Sequence, residues 1–297
     1  MSVLKKDAMA IYADLHMHTS CSDGLDSPQA LLERASGRGI SVVSITDHDT
    51  FKAYEQANKV AEDLGIELIT GIEVSTFYKG GSVHLLGYFV DGDSAAAKKL
   101  VESNHAGRLE RMEKILAHLD RLGYQVDMDE LLVFAGEGTL GRVSLARFMV
   151  KKKLFRTTEE VFQKVLGDGK SAYEAVDRLS PQEAIELVAQ AGGISSLAHP
   201  GKNLEEADLD AFVEAGLDAV EAYTPYHKDN ETKKWLELAV SRHMAVTGGS
   251  DCHGSLWRNH DVGAAGIDIV MMEELKARAK LATCGETGAG GICNETT

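Results

Sequence analysis

Seven short runs of apolar and β-branched residues recur along this chain, and that recurrence constrains the fold more than any other feature. The runs are Ile11–Leu15, Ser41–Thr46, Ile66–Thr70, Val83–Val90, Gly193–Ala198, Asp218–Tyr223 and Met244–Thr247. Each has the length and residue types of a strand buried on both faces. Amphipathic stretches separate them, and some carry clear helix starts. Ser27-Pro28 puts proline at the first helical position, and Ser180-Pro181-Gln182-Glu183 adds a glutamate three residues after its cap. Strand and helix in alternation predict an α/β chain built on a parallel sheet.

One stretch departs from the alternation. From Ser94 to Gly169 the pattern is helical, with an apolar seam at Leu100, Leu109, Met112, Ile115, Leu116 and Leu119, and no strand signal. It reads as a helical insertion, a cap over the sheet. At the far end, Gly285–Thr297 is rich in Gly and Thr and is expected to fray.

Charge narrows the partners. Lys plus Arg number 31 against 46 Asp plus Glu, a net charge of −15, which disfavours wrapping duplex nucleic acid by counterion release. A small anionic substrate stays possible, because bound divalent cations invert the local field. The opening Met1-Ser2-Val3-Leu4-Lys5-Lys6 lacks the apolar core of a signal peptide, and no run approaches about 18 apolar residues. A cytoplasmic protein with no membrane partner is expected. The four cysteines form no CxxC pair, so reduced thiols are expected.

Six of the eleven histidines sit at or next to one of the apolar runs, four of them beside a carboxylate or a second histidine. The stretches are Asp14-Leu15-His16-Met17-His18, Thr46-Asp47-His48-Asp49, Gly71-Ile72-Glu73, Val83-His84, Leu197-Ala198-His199-Pro200 and Gly249-Ser250-Asp251-Cys252-His253. Imidazole and carboxylate without thiolate suit two or three Zn, Mn or Fe ions, and the chain reads as a metal-dependent hydrolase. His16, His48, Glu73, His199 and Asp251 are expected at the C-terminal ends of strands, where parallel α/β folds gather functional groups. Residues two apart in a strand point the same way, so His16 with His18, and Asp251 with His253, can each grip one ion. Asp23, in the turn Cys21-Ser22-Asp23-Gly24, can reach back to them. Taken singly, each stretch has a bland reading: Asp49 is a good N-cap residue, and Cys252 should point away and pack. His105, His118, His243 and His260 have no neighbouring partners and receive no function.

Together the motifs resemble the polymerase and histidinol phosphatase (PHP) family over residues 11 to 265. The resemblance rests on Asp-Leu-His-Met-His-Thr-Ser with Ser-Asp-Gly, Ile-Thr-Asp-His-Asp-Thr, Gly-Ile-Glu, His-Leu-Leu-Gly-Tyr, Leu-Ala-His-Pro-Gly and Gly-Gly-Ser-Asp-Cys-His-Gly. It implies a distorted (β/α)7 barrel with a helical insertion, the barrel formed by residues 11–93 and 170–284, the insertion by 94–169, and a flexible tail by 285–297. It also implies two or three Mn, Zn or Fe ions held by His16, His18, Asp23, His48, Glu73, His84, His199, Asp251 and His253, with Glu73 as the bridge between two of them. Asp47, whose side chain should point opposite to that of His48, is expected to orient a ligand from behind. A water acidified by the ions would attack phosphorus in line.

The insertion makes the chain most similar to members acting on nucleoside 3′,5′-bisphosphates or short 5′-phosphorylated oligonucleotides, with an AMP-like product. Gly141-Arg142-Val143-Ser144-Leu145-Ala146-Arg147 is similar to the family's Gly-Arg-Pro-His-Ile-Ala-Arg, which makes Arg142 a phosphate contact and leaves Ser144 where a histidine usually stands. By position, Lys202 is a further point charge for phosphate, and His227 is a substrate contact and the acid for the leaving oxygen. Two other expectations compete: a histidinol-phosphate phosphatase, and a non-catalytic metal-binding module.

Overall fold

The computed structural model describes residues 11–136, 138–167, 169–174, 179–201, 204–254 and 260–286. Seven strands form one sheet in the order of the chain: β1 (Ala13–Asp14), β2 (Val42–Ile45), β3 (Glu67–Tyr78), β4 (Gly81–Tyr88), β5 (Ile194–Leu197), β6 (Ala219–Tyr223) and β7 (Ala245–Gly248). Hydrogen bonds from Leu15 N to Gly248 O (3.2 Å), Asp251 N to His16 O (2.8 Å) and His18 N to Cys252 O (2.9 Å) join the first strand to the last. The sheet thus curls into a nearly closed barrel whose strands are buried because helices cover them, as the continuous apolar runs require.

The fully parallel sheet expected from the sequence is not what forms. β1–β2–β3 and β5–β6–β7 pair in parallel, but β4 runs antiparallel to both its neighbours. The cause is a two-residue turn at Lys79 (φ 47°) and Gly80 (φ 85°), both left-handed as a type I′ hairpin demands, with Tyr78 paired to Gly81. β3 accordingly runs on to Tyr78, well beyond the expected Ile66–Thr70, and Glu73 lies inside it rather than past its end. Reversal of β4 carries its first half, with His84, to the end of the barrel where the parallel strands finish.

Two helix starts follow the sequence. Ser27 accepts from Ala30 N (3.2 Å) to begin α1 (Pro28–Gly37). Ser180 and Glu183 form a reciprocal capping box at α7 (Pro181–Gln190). α2 (Tyr54–Leu64) begins later than expected: its N-cap is Ala53, so Asp49 is not a cap.

Between β4 and β5 lie α3 (Ala95–Arg121), α4 (Met128–Ala135), α5 (Arg142–Lys151), α6 (Thr158–Val161), a π-helical turn (Phe162–Leu166) and α7. At 1.5 Å per residue α3 is about 40 Å long, and its two halves serve different cores. Leu100 packs with barrel residues such as Val74, Leu85 and Val188. Met112, Ile115 and Leu119 instead pack with Leu131, Leu145, Phe148 and Val165 in a separate apolar cluster. Leu109, expected in the same seam, is 48% exposed. α8 (Glu206–Glu214), α9 (Asp229–Ser241) and α10 (Ile269–Glu286) complete the chain, so the helix reaches past Gly285; the rest of the tail lies outside the described residues, as does Lys202. Among the described residues no helix is long and apolar enough to cross a membrane.

Candidate metal centre

All nine side chains expected as ligands converge at one end of the barrel. Glu73, 1% exposed, stands at the middle. Its Oε2 lies 3.3 Å from His16 Nε2, 3.1 Å from His18 Nε2 and 3.2 Å from His48 Nδ1. Its Oε1 lies 2.8 Å from His84 Nδ1 and 3.1 Å from His199 Nε2. Asp251 Oδ1 sits 3.0 Å from His18 Nε2 and 3.3 Å from His16 Nε2. A second carboxylate, Asp23, faces His253 Nε2 at 3.2 Å and His48 Nε2 at 3.8 Å. Three overlapping groups result: His16, His18, Glu73 and Asp251; His48, Glu73 and His84; His18, Asp23, His48 and His253, each with its ligand atoms within 4.8 Å of one another.

The local backbone is forced to make this cluster. Asp49, His199 and Asp251 all have positive φ (54°, 26° and 49°), a conformation L side chains rarely adopt, and all three adjoin or belong to the cluster. Gly249 has no alternative residue: a Cβ there would lie 2.3 Å from His16 Cβ and 2.4 Å from His16 N. The glycine lets β7 close against β1 and so brings Asp251 to His16.

Electrostatics favour a cation. His16 Nε2, both ring nitrogens of His18, His48 Nδ1 and Asp251 Oδ1 are buried and form no hydrogen bond, an arrangement expensive for polar atoms unless a charge satisfies them. The donor set of imidazoles and carboxylates fits divalent Zn, Mn or Fe. Burial by itself would depress the His16 and His18 rings, but the carboxylates of Glu221, Asp251 and Glu73 facing His16, and of Asp251 and Glu73 facing His18, outweigh it and hold both above the ordinary value. His48 is pushed down by burial to about 3, the pull of Glu73 and Asp23 being opposed by the neighbouring His18 and His84 rings. For Glu73 and Asp251 burial works upward, yet the surrounding rings hold both well below the usual range.

Three side chains escaped the sequence reading. Glu221, fully buried in β6, faces His16 Nδ1 at 3.0 Å and accepts from the His199 backbone N–H at 2.7 Å, so one carboxylate orients the His16 ring and fixes the His199 backbone. Its signal was available: an acidic residue inside an otherwise apolar, buried run. Tyr226 donates its hydroxyl to Asp251 Oδ2 (2.6 Å), and His260 packs edge-on against its ring at 4.6 Å. His260 therefore does have a neighbour at the site, and His118 likewise has one elsewhere, at Ser171 O (3.2 Å).

Other expectations need correction. Asp47 is not among them: its carboxylate takes Thr19 N (2.7 Å), Thr19 Oγ1 and Ser22 Oγ, and so fixes the turn that carries Asp23. His227 faces away from the cluster, with Nδ1 3.0 Å from Ala222 O and Nε2 3.0 Å from Pro200 O. Each ring nitrogen faces a backbone carbonyl, so whichever carries the proton donates there rather than to a leaving oxygen. Ser144 is engaged as well: its hydroxyl donates to Gly141 O (2.8 Å) and accepts from Gly141 N (2.9 Å), starting α5. Cys252 is fully buried in an apolar cluster with Met17 and Val262.

Two hollows adjoin the cluster. One of about 420 Å³ forms its mouth, lined by His48, Glu73, His84, His199, Tyr226 and Asp251. The other, of about 110 Å³, has His48, His84 and Asp23 on one side and Arg108, Arg111 and Arg142 on the other. Arg142 donates to Leu166 O (3.1 Å) while its guanidinium lies 5.3 Å from the Tyr173 ring, and Arg111 donates through Nε to Glu174 O (2.9 Å).

Known proteins share this architecture. Over 84% of its length the chain is 32% identical to a phosphoribosyl 1,2-cyclic phosphate 1,2-diphosphodiesterase of Eggerthella lenta, covering 97% of that protein. It is 31% identical to the 5′-3′ exoribonuclease Rnm of Salmonella typhimurium (82% and 86% covered) and 29% identical to a 3′,5′-nucleoside bisphosphate phosphatase of Chromobacterium violaceum (84% and 90%). The crystal structure of a putative metal-dependent phosphoesterase from Bifidobacterium adolescentis superposes with a TM-score of 0.84 at 28% identity, covering 91% of this chain and 96% of the other. The PHP domain model matches residues 14–176, more than half the sequence, and the chain belongs to the PHP domain family.

Proposed function

We propose that this protein is a metal-dependent phosphoesterase hydrolysing a phosphomonoester or phosphodiester of a small nucleotide-like substrate. One observation carries the reading: a buried carboxylate, Glu73, ringed by five imidazoles, with a pocket of three arginines opening directly beside His48 and His84. His16, His18, Asp23, His48, Glu73, His84, His199, Asp251 and His253 would hold two or three Mn, Zn or Fe ions, and Glu73 turns its two oxygens to different rings. When bound, such ions supply Lewis acidity towards phosphoryl oxygens and acidify a water for in-line attack.

The protein's own groups do the rest. Glu221 fixes the orientation of His16 and the backbone of His199. Through its hydroxyl, Tyr226 holds Asp251 at the mouth. Arg142, held by Leu166 O and the Tyr173 ring, is the group assigned to bind phosphate, with Arg111 in the lining of the same pocket. In a chain of net charge −15, three arginines converging on one pocket select an anionic substrate. They repel a cationic one, which disfavours histidinol phosphate. The relatives named above act on nucleotide or phosphoribosyl esters, which supports the same class.

Hydrolysis of adenosine 3′,5′-bisphosphate, a 5′-phosphorylated trinucleotide, a ribose cyclic phosphate and histidinol phosphate, read as released phosphate, nucleoside monophosphate or ring-opened phosphomonoester, with Mn²⁺ and with chelator, tests this. Mn²⁺-dependent turnover of one of the first three, with histidinol phosphate inert, is expected. Silence on all four with metal bound would sink the catalytic reading in favour of a binding module.

A further inference from the structure

Asp23 differs from most of the other clustered residues in its support. Glu73 and His84 lie on strands, and His16, His199 and Asp251 follow within three residues of a strand end, whereas Asp23 rides on the turn after Thr19 with no strand beneath it. A ligand so placed has to be held by something else, since coordination distances tolerate only about 0.2 Å.

Part of the hold comes from the barrel, through Asp47 to Thr19 and Ser22. The remainder comes from the helical stretch between β4 and β5. Thr139 donates its N–H to Ser22 O (2.8 Å) and its hydroxyl to His48 O (3.2 Å), so one residue spans the backbones of both neighbours. Arg147, on α5, donates through Nη1 to Asp23 O. Asp49, next to His48, is fully buried and accepts from Asn104 Nδ2 (2.7 Å) and Arg108 Nη2 on α3. Every one of these contacts falls on the Asp23 and His48 side of the cluster. Arg147 Nη2 is buried without a hydrogen-bond partner. Burying a guanidinium on so few bonds is unfavourable, and its use at the Asp23 carbonyl explains why the fold carries it.

We infer that Arg147, assisted by Thr139, is a positioning residue for the cation site of His18, Asp23, His48 and His253, so that the helical stretch sets the affinity of this site and leaves the group of His16, His18, Glu73 and Asp251 unaffected. The inference rests on reading the clusters as cation sites. Whatever shifts α5 then loosens Asp23, and with it this outer site.

The test is calorimetric titration of Mn²⁺ into the full, metal-stripped chain, with the bound ions counted after desalting. Arg147→Met should weaken one class of site at least tenfold and leave the other unchanged; Arg147→Lys, which can still reach the carbonyl, should recover part of the loss. Thr139→Val keeps the backbone bond and should weaken the same class several-fold. Asp23→Asn, as reference, should lose that class altogether. A wild-type isotherm for Arg147→Met beside a lost class for Asp23→Asn would overturn the brace, and so would equal weakening of both classes in a protein whose melting curve is intact. If Asp23→Asn loses no ion, the outer cation site itself falls, and the brace with it.

Discussion

The inner and outer halves of the histidine cluster are built by different means. Around Glu73 the barrel does everything: strands place the residues, Glu221 in β6 orients the His16 ring and holds the His199 backbone, and Gly249 lets the last strand close on His16. Around Asp23 and His48 the barrel contributes a turn and one carboxylate, Asp47, and helices from a distant part of the chain contribute the rest through Thr139, Arg147, Asn104 and Arg108. Geometry that follows from barrel closure is hard to alter without unfolding the protein. Geometry borrowed from an adjoining layer of helices can change with that layer, which also carries Arg111 and Arg142 of the adjoining pocket. On the function proposed above, this division would put the metal chemistry in the barrel and the choice of substrate in the helices.

Breaking the inner half should have the largest effect. Glu73→Gln removes the charge that five rings face, so the bound metal should fall and turnover should drop by about 10³-fold or more. Metal analysis with phosphate release checks it; full metal content and wild-type turnover would remove Glu73 from the centre. Gly249→Ala comes next. Its methyl would overlap His16, and separating the strands should cost about 1–3 kcal/mol. The melting temperature should fall and metal affinity with it, because the same contact serves both.

Glu221→Gln keeps the shape and removes a charge, and should cost about 10–100-fold in metal affinity. The pH dependence has a definite sign. The carboxylates raise the His16 pKa despite burial, so this contribution to the stability of the metal-free protein is complete below the unfolded value near 6.5 and is lost as pH rises through the folded value. A cation must displace that proton, and Mn²⁺ affinity should therefore climb with pH. In Glu221→Gln the climb should be shallower, read from titrations at several pH values; an unchanged slope would mean that Glu221 does not set the state of His16.

The two halves were unequally legible in the sequence. The metal-ligand candidates stood out because pairs such as His16/His18 and Asp251/His253 follow apolar runs. Glu221 did not, since a lone acid within Ala219–Tyr223 belongs to no motif, although its presence in a buried strand was the available signal. The β3–β4 hairpin was hidden by its Lys79-Gly80 turn, which lacks the usual Asn or Asp before glycine, and the strand was cut short at Thr70. For His227 and Ser144 the residue type was right for chemistry, but local hydrogen bonds had already claimed both side chains. The brace at Asp23 links residues more than a hundred positions apart, and no local pattern announces such a contact.

Substitutions in the helical layer should have smaller and more selective effects. Arg142→Ala should raise KM by roughly tenfold, the value of about 1.4 kcal/mol expected for one charge-assisted phosphate contact, and leave metal content intact. Loss of metal instead would blur the boundary between the two halves.

Ser144→Ala should have the smallest effect, and it sharpens the boundary most. Its hydroxyl makes two hydrogen bonds to Gly141 at the start of α5, one accepted and one donated, and the side chain is 8% exposed. Removing it should cost about 1 kcal/mol, in the range of a lost helix cap, and lower the melting temperature by about 2–4 °C for a chain of this size. KM and metal content should stay at wild-type values, because the hydroxyl is turned to its own backbone although it borders the arginine pocket. A raised KM with an unchanged melting temperature would reverse the assignment: Ser144 would then touch substrate as Arg142 does, and the start of α5 would belong to the binding surface rather than to the scaffold that supports it.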